Sequence, residues 1–416
     1  MINLWAAMYI IAWMTMPFMS IGTSYRVLAI IATMIWILTI RKINPQVFVK
    51  AKNVIVIGIL YCCLTFGGTF LLFDSLSKAI SDTVNPFIVL IVFLFYYGYY
   101  GTIFFKKIVY FSLVCFLVVG IMSVRQLYID PRAARDAYLT WMEGEGAAYT
   151  TIGTYGFIMS SALMCPVLLA VFLVKKIQDD SKLFLGVVLA ILFIMVLMSG
   201  YTIAVITMTV SFLVFVCVHD TSTKKKLFVI LCCCVLIFIW KPLVENVLLF
   251  LIDVTRDNVV YNERMRELYR SLVLGLEAVG DLAARQKRYT ATINEIIKNP
   301  IFGAAILKGR YNGGGHSEYL DTMGRFGLFY FACNIWITLL KPLKNAYAKE
   351  TKALCWCFGI GMVVLCTLDT YSYVQMIVAV IILPYIADIV KKGKAVRLVN
   401  RVSNHNRFQW RRNWFE

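Results

Sequence analysis

Charge is scarce in this chain, at 15% Asp, Glu, Lys and Arg against 60% hydrophobic residues, and that scarcity excludes an ordinary soluble domain. Histidine is scarcer still. Only His219, His316 and His405 are present, so imidazole chemistry rests on very few positions. No Gly-Lys-Ser/Thr phosphate loop occurs, and none of the sequence reads as a soluble nucleotide-sugar domain. Internal repeats are missing too, which argues against the paired architecture of many transporters. A basic leader is lacking before "NLWAAMYIIAWMTMPFM", so the first apolar run reads as a spanning segment, not a cleaved signal.

What the chain has is long apolar runs, and its mean hydropathy is +0.76. Runs of spanning length fall at about 3–22, 24–40, 53–73, 83–104, 108–124, 151–174, 183–198, 203–218, 227–245, 323–340, 353–369 and 371–390. They predict an all-α polytopic membrane protein of about twelve helices: one integral membrane domain over 1–390 and a basic tail over 391–416. Segments 41–52, 105–107, 175–182, 219–226, 341–352 and the tail carry most of the 41 basic residues, and all fall on one face of a twelve-span arrangement. Positive charge is retained on the cytoplasmic side, so both termini are expected there. The arginine-rich tail reads as topogenic and able to touch anionic membrane lipids; nucleic acid is not an expected partner. All 12 cysteines lie in or at the ends of predicted spans, which indicates neither a disulfide framework nor a metal site.

Two connections on the opposite face are long, 125–150 and 241–322, and function is expected there. The stretch 253–322 holds Arg256, Arg264, Arg266, Arg270, Arg285, Arg288 and Arg310, whereas the cytoplasmic connections before the tail are lysine-rich. Guanidinium forks grip phosphate oxygens bidentately; part of this set also reads as ion-paired helix surface. Segment 259–276 puts Tyr261, Met265, Leu268, Leu272 and Leu276 on one stripe, and 282–298 does the same with Leu282, Tyr289, Ile293, Ile296 and Ile297. Both predict amphipathic helices lying along the membrane surface. Arg285 falls on the second stripe, so it must turn toward protein or membrane and needs an anion, whether a ligand or an unseen acid. Arg288 lies off the stripe and can stay solvated.

Three consecutive glycines, Gly313–Gly315, precede His316, and "SEYLDTMGRFG" runs from it into the next span. Glycines there let a ligand approach the backbone closely. An imidazole at the start of a helix can take a proton from a hydroxyl, donate to a phosphate, or simply cap the helix. No Asp-x-Asp pair lies in any outward connection, which argues against metal-dependent glycosyl transfer.

Arg285, Tyr289, Asn299-Pro300, Gly303, His316-Ser317-Glu318-Tyr319-Leu320 and Gly327, in that order, resemble the C-terminal block of the bacterial O-antigen polymerase and O-antigen ligase superfamily. The departures are Ala304-Ala305 after Gly303, Ser317 where the family often has Asn, and a turn reading Ser199-Gly200-Tyr201-Thr202 where many members carry Ser-Arg. Arg125, Arg132 and Arg135 of the 125–150 connection are the cations available to replace that arginine.

The resemblance implies a metal-independent, inverting glycosyltransferase without cofactor in the bacterial inner membrane, its active site facing the periplasm. The donor it implies is a glycan on undecaprenyl diphosphate. His316 would be the catalytic base and Arg285 would stabilise the leaving diphosphate, with substrate contacts from Arg288, Arg310, Tyr289, Ser317, Tyr319, Arg132, Arg135 and Arg270. A polymerase, using a second carrier-linked repeat as acceptor and partnered by a chain-length regulator, is expected because the Ser-Arg turn is absent. A ligase acting on lipid A-core and a flippase of the same glycan are the alternatives.

Overall fold

The computed structural model describes residues 2–134, 152–172, 181–218, 240–257, 259–272, 281–307, 311, 314, 317–370 and 372–392. Among these the regular structure is entirely helical, with no strand. Seven helices are long and apolar enough to cross a membrane: Lys52–Phe73, Leu76–Tyr99, Ile103–Ile129, Tyr155–Phe172, Glu318–Ala346, Lys349–Leu368 and Tyr373–Lys392. Three apolar helices are shorter, Ile2–Thr15, Lys182–Met198 and Thr202–Val218. The expected run 3–22 is interrupted at Met16, whose backbone is extended before Pro17, because a residue that precedes proline is pushed out of the helical region. Most of the run 227–245 lies outside the described residues. From Trp240 a helix extends to Val254, inside what reads in sequence as the start of a long connection. The two amphipathic helices appear as Val259–Leu272 and Asp281–Lys298.

Tyr155–Phe172 and Tyr373–Lys392 form the centre, each 78% buried over its most apolar stretch, whereas Lys52–Phe73 is 28% buried and lies at the edge. Fully buried rings of Phe93, Phe95, Phe116, Phe157 and Phe358 fill the space between helices. With lipid outside, apolar surface drives no association, so tight packing and hydrogen bonds between helices hold the bundle together. Trp36 Nε1 donates to the Tyr99 hydroxyl at 2.9 Å, and Asn334 Nδ2 donates to the Tyr61 hydroxyl at 3.1 Å.

Local capping sets where the helices turn. Asp74 sits in the left-handed region (φ 50°) and Ser75 caps the next helix, its hydroxyl accepting from the Lys78 amide at 3.3 Å. This turn falls at one end of the bundle with the start of the Glu318 helix and the end of the Lys349–Leu368 helix, where the Glu318 amide donates to the Asp369 carbonyl at 2.8 Å. The opposite end collects lysines: Lys341 lies 5.6 Å from the Tyr97 ring centre, and Lys391 lies 3.7 Å from Asp388, which also accepts from the Tyr100 hydroxyl at 3.0 Å.

The Glu318 helix is broken at Gly327 (φ 80°, ψ −172°). Its freed neighbour, the Leu328 amide, donates to the Pro300 carbonyl at 2.9 Å, so the break leaves that donor satisfied. Gly303 (φ 61°) packs against the same break: a Cβ there would fall 2.6 Å from both the Arg325 carbonyl oxygen and the Gly327 nitrogen. A Cβ on Gly327 would in turn strike the Ile301 carbonyl. Only glycine combines these dihedrals with such close backbone approach. Because of the break, Glu318 Oε1 accepts from Asn334 Nδ2 at 2.9 Å, although a straight helix would hold residues sixteen apart ~24 Å from each other.

Candidate functional site

At the end opposite the lysine cluster lies a pocket of about 180 Å3. Asp82, Asn85, Glu318, Asp321, Arg325 and Thr370 supply its polar wall; Tyr61, Thr65, Phe326 and Tyr330 are among the rest. Each wall has a local origin. Asp82 and Asn85 are one turn apart on the Leu76–Tyr99 helix, and Glu318, Asp321 and Arg325 share one face of the Glu318 helix. Tyr61 and Thr65 are a turn apart on the Lys52–Phe73 helix; Thr65 donates to the Tyr330 hydroxyl at 3.2 Å, and the Tyr61 and Tyr330 ring centres are 4.9 Å apart. A larger groove of about 560 Å3 between Ile2–Thr15 and Thr23–Ile43, bordered by Trp5, Leu28 and Phe111, is apolar and offers no reacting group.

Asp321 ties this wall to the amphipathic helix and to both flanks of the glycine-rich segment. Its Oδ1 accepts from the Tyr311 hydroxyl at 3.1 Å and the Thr292 hydroxyl at 3.3 Å, and its Oδ2 accepts from the Ser317 amide at 3.1 Å. Burial, reinforced by the Asp321 charge, raises the Tyr311 phenol above its ordinary value, so it remains a donor. Arg325 lies over the Tyr311 ring, 5.1 Å from its centre. Beyond this wall, Asp369 is 4% exposed; the Thr370 amide donates to its Oδ1 at 2.7 Å, and Oδ2 is buried with no hydrogen-bond partner among the described residues. Burial raises its carboxyl to about 7 against the opposing Thr370 bonds. A carboxyl titrating near neutrality can accept or hold a proton.

His316, Arg310 and Arg135 lie outside the described residues, as does the side chain of Arg285, whose backbone belongs to the Asp281–Lys298 helix. Ser317 carries the cap that the sequence left open to His316. Its hydroxyl accepts from the Leu320 amide at 3.2 Å and donates to the Cys366 carbonyl at 3.3 Å, and the side chain is buried. Tyr319 turns into the core and packs edge-on to Phe331 at 5.8 Å. Tyr289 is half-buried and reaches the Leu368 carbonyl at 3.4 Å, which ties its helix to the turn bearing Asp369. Arg288 and Arg270 are exposed. Exposed Arg132 sits two residues from Ala134, whose carbonyl accepts from the Tyr201 hydroxyl at 2.8 Å. That bond brings 130–134 to the Ser199–Thr202 turn.

Sequence reasoning missed Asp82, Asn85, Glu318, Asp321, Arg325 and Asp369. It began two spans at 83 and 323, whereas the helices start at Leu76 and Glu318, so Asp82, Glu318 and Asp321, read as connection residues, in fact lie on spanning helices. The available signal was spacing: polar residues three and four apart leading into an apolar run mark one face of a helix.

No protein-family model matches the chain, and no curated protein matches it in sequence. Its class therefore comes from its own features, which are those of an all-helical membrane protein with a charged pocket at one end of the bundle.

Proposed function

We propose that this protein is a glycosyltransferase of the bacterial inner membrane that polymerises undecaprenyl-diphosphate-linked glycan repeats at the periplasmic face. The observation that carries the reading is the convergence of the spaced sequence pattern. Tyr289, Asn299-Pro300, Gly303, Ser317 and Gly327 are distant in the chain yet join one corner of the bundle, beside a polar pocket and away from the lysine-rich turns. The lysine end is cytoplasmic in this reading, twelve spans are retained, and the pocket faces outward.

Loss of the glycosidic bond puts charge on a diphosphate, which Arg285 and the exposed Arg288 and Arg132 would receive as it develops. His316 would take the proton of the attacking sugar hydroxyl. Asp369, within the turn bonded to Glu318, would hold that imidazole or accept the proton in its place.

A flippase is the second reading, favoured by the Gly327 break and by charges on spanning helices. Against it, Arg325 lies seven residues from the start of its helix, ~10 Å along the axis, short of the ~15 Å midplane where transporters bind. Glycan profiling of a strain lacking the protein separates the readings. Loss of a polymerase leaves single repeats on the final acceptor, whereas loss of a ligase leaves polymer on the carrier. Loss of a flippase leaves neither outside, and either of the last two outcomes rejects the polymerase.

A further inference from the structure

Two opposite charges face the pocket without meeting. Asp82 is half-buried and, among the described residues, receives only a 3.4 Å bond from the Thr69 hydroxyl. Across from it, Arg325 forms no ion pair among the described residues, and its Nε is buried without a hydrogen-bond partner. Both charges are half-buried, and Arg325 has the Tyr311 ring on one face, so each keeps bonding capacity that an occupant of the pocket can use in place of water. By contrast Asp321 is engaged at both oxygens and Glu318 by Asn334, which makes these two carboxylates part of the wall.

The lining sets the chemistry of the occupant. With three carboxylates against one guanidinium, a diphosphate or an acidic sugar would be repelled. Among the described residues no group of three or more His, Cys, Asp or Glu is arranged to hold a metal ion. The aromatic part of the lining is the half-buried Phe326, backed by the buried Tyr330, whose ring centre lies 4.5 Å away, and by Tyr61 behind it. An apolar ring face opposite a paired donor and acceptor suits a pyranose, whose C–H face is apolar and whose edge carries hydroxyls.

We propose that this pocket is a sugar subsite that takes one neutral pyranose ring, with hydroxyls donating to Asp82, an oxygen accepting from the terminal guanidinium nitrogens of Arg325, and the ring face against Phe326. It deepens the glycosyltransferase reading by giving the sugar a place distinct from the diphosphate, and it makes the enzyme selective against uronic acids in that position.

Saturation-transfer difference NMR on the purified full chain in detergent tests it, with galactose, rhamnose, N-acetylglucosamine, glucuronic acid and inorganic pyrophosphate as probes. At least one neutral sugar is expected to show ring-proton transfer, which glucuronic acid and pyrophosphate do not displace. Asp82→Asn, which keeps the side-chain shape, and Arg325→Lys, which keeps the charge, should each weaken it about tenfold. Both variants are first checked for native elution and helicity, so that a misfolded one is replaced by Asn85→Ala on the same wall.

No neutral-sugar signal, a signal indifferent to the substitutions, or displacement by pyrophosphate would overturn the proposal. Elongation of a lipid-linked repeat by the same preparation separates the two readings. Activity untouched by pocket variants sinks the subsite alone, while sugar binding without elongation sinks the enzyme alone.

Discussion

At the residue scale, Asp369 carries the clearest electrostatic consequence. Burial raises its folded carboxyl to about 7, above the ordinary 3.8, so between these values the folded protein holds a proton that the unfolded chain releases. Stability therefore falls as pH rises through that window and levels off above about 7, with a total effect on the order of a few kcal/mol. Asp369→Asn should remove this slope: in detergent, the wild-type unfolding temperature should drop between pH 5 and pH 8 more than that of the variant. Equal slopes would show that Asp369 is solvated in the folded protein. Arg285 and Arg288 form the other residue-scale pair. If Arg285 receives the diphosphate, Arg285→Lys should lose most activity, ~10²-fold or more, because the charge survives and the fork does not, while Arg288→Lys should be milder. Matched losses at equal protein level would reject that division of labour.

At the element scale, the glycine pair lets two segments distant in sequence approach closely. Gly303 and Gly327 let the 300–303 segment and the broken helix touch backbone to backbone, and Pro300 accepts the Leu328 amide freed by the break. Gly327→Ala adds a methyl against the Ile301 carbonyl at a left-handed position and should destabilise the protein by about 2–4 kcal/mol. Gly303→Ala should behave similarly, and the double variant should lose less than the sum, since the two share one contact. Thermal unfolding of the four proteins in detergent checks this, and strict additivity would mean that the glycines act separately. This part of the pattern was legible in sequence as a spaced set of small residues. Its reason was not, because close approach concerns two segments and neither alone reveals it.

For the whole molecule, lysines at one end and the pocket at the other give a testable orientation. Lys78→Cys, exposed beside the pocket end, should react with a membrane-impermeant maleimide in intact cells, above the background of the unsubstituted chain. Lys349→Cys, exposed at the opposite end, should react only after permeabilisation. The reverse pattern would place the pocket in the cytoplasm and remove the periplasmic reading altogether.

Membrane class, most helix positions, the two amphipathic helices and the Asn299-Pro300 stop were determined by the sequence itself. Hydropathy, amphipathic spacing and helix termination act over a few turns of chain, which is the range a sequence pattern records. Only the tertiary structure decided that Asp82 and Arg325 share a pocket, that Glu318 reaches Asn334 across a broken helix, and that Asp321 binds Thr292, Tyr311 and Ser317 together. Which distant charges meet depends on how helices pack and where one of them breaks. The electrostatic consequence follows from the burial they find there, as the carboxyl of Asp369 shows by titrating near neutrality.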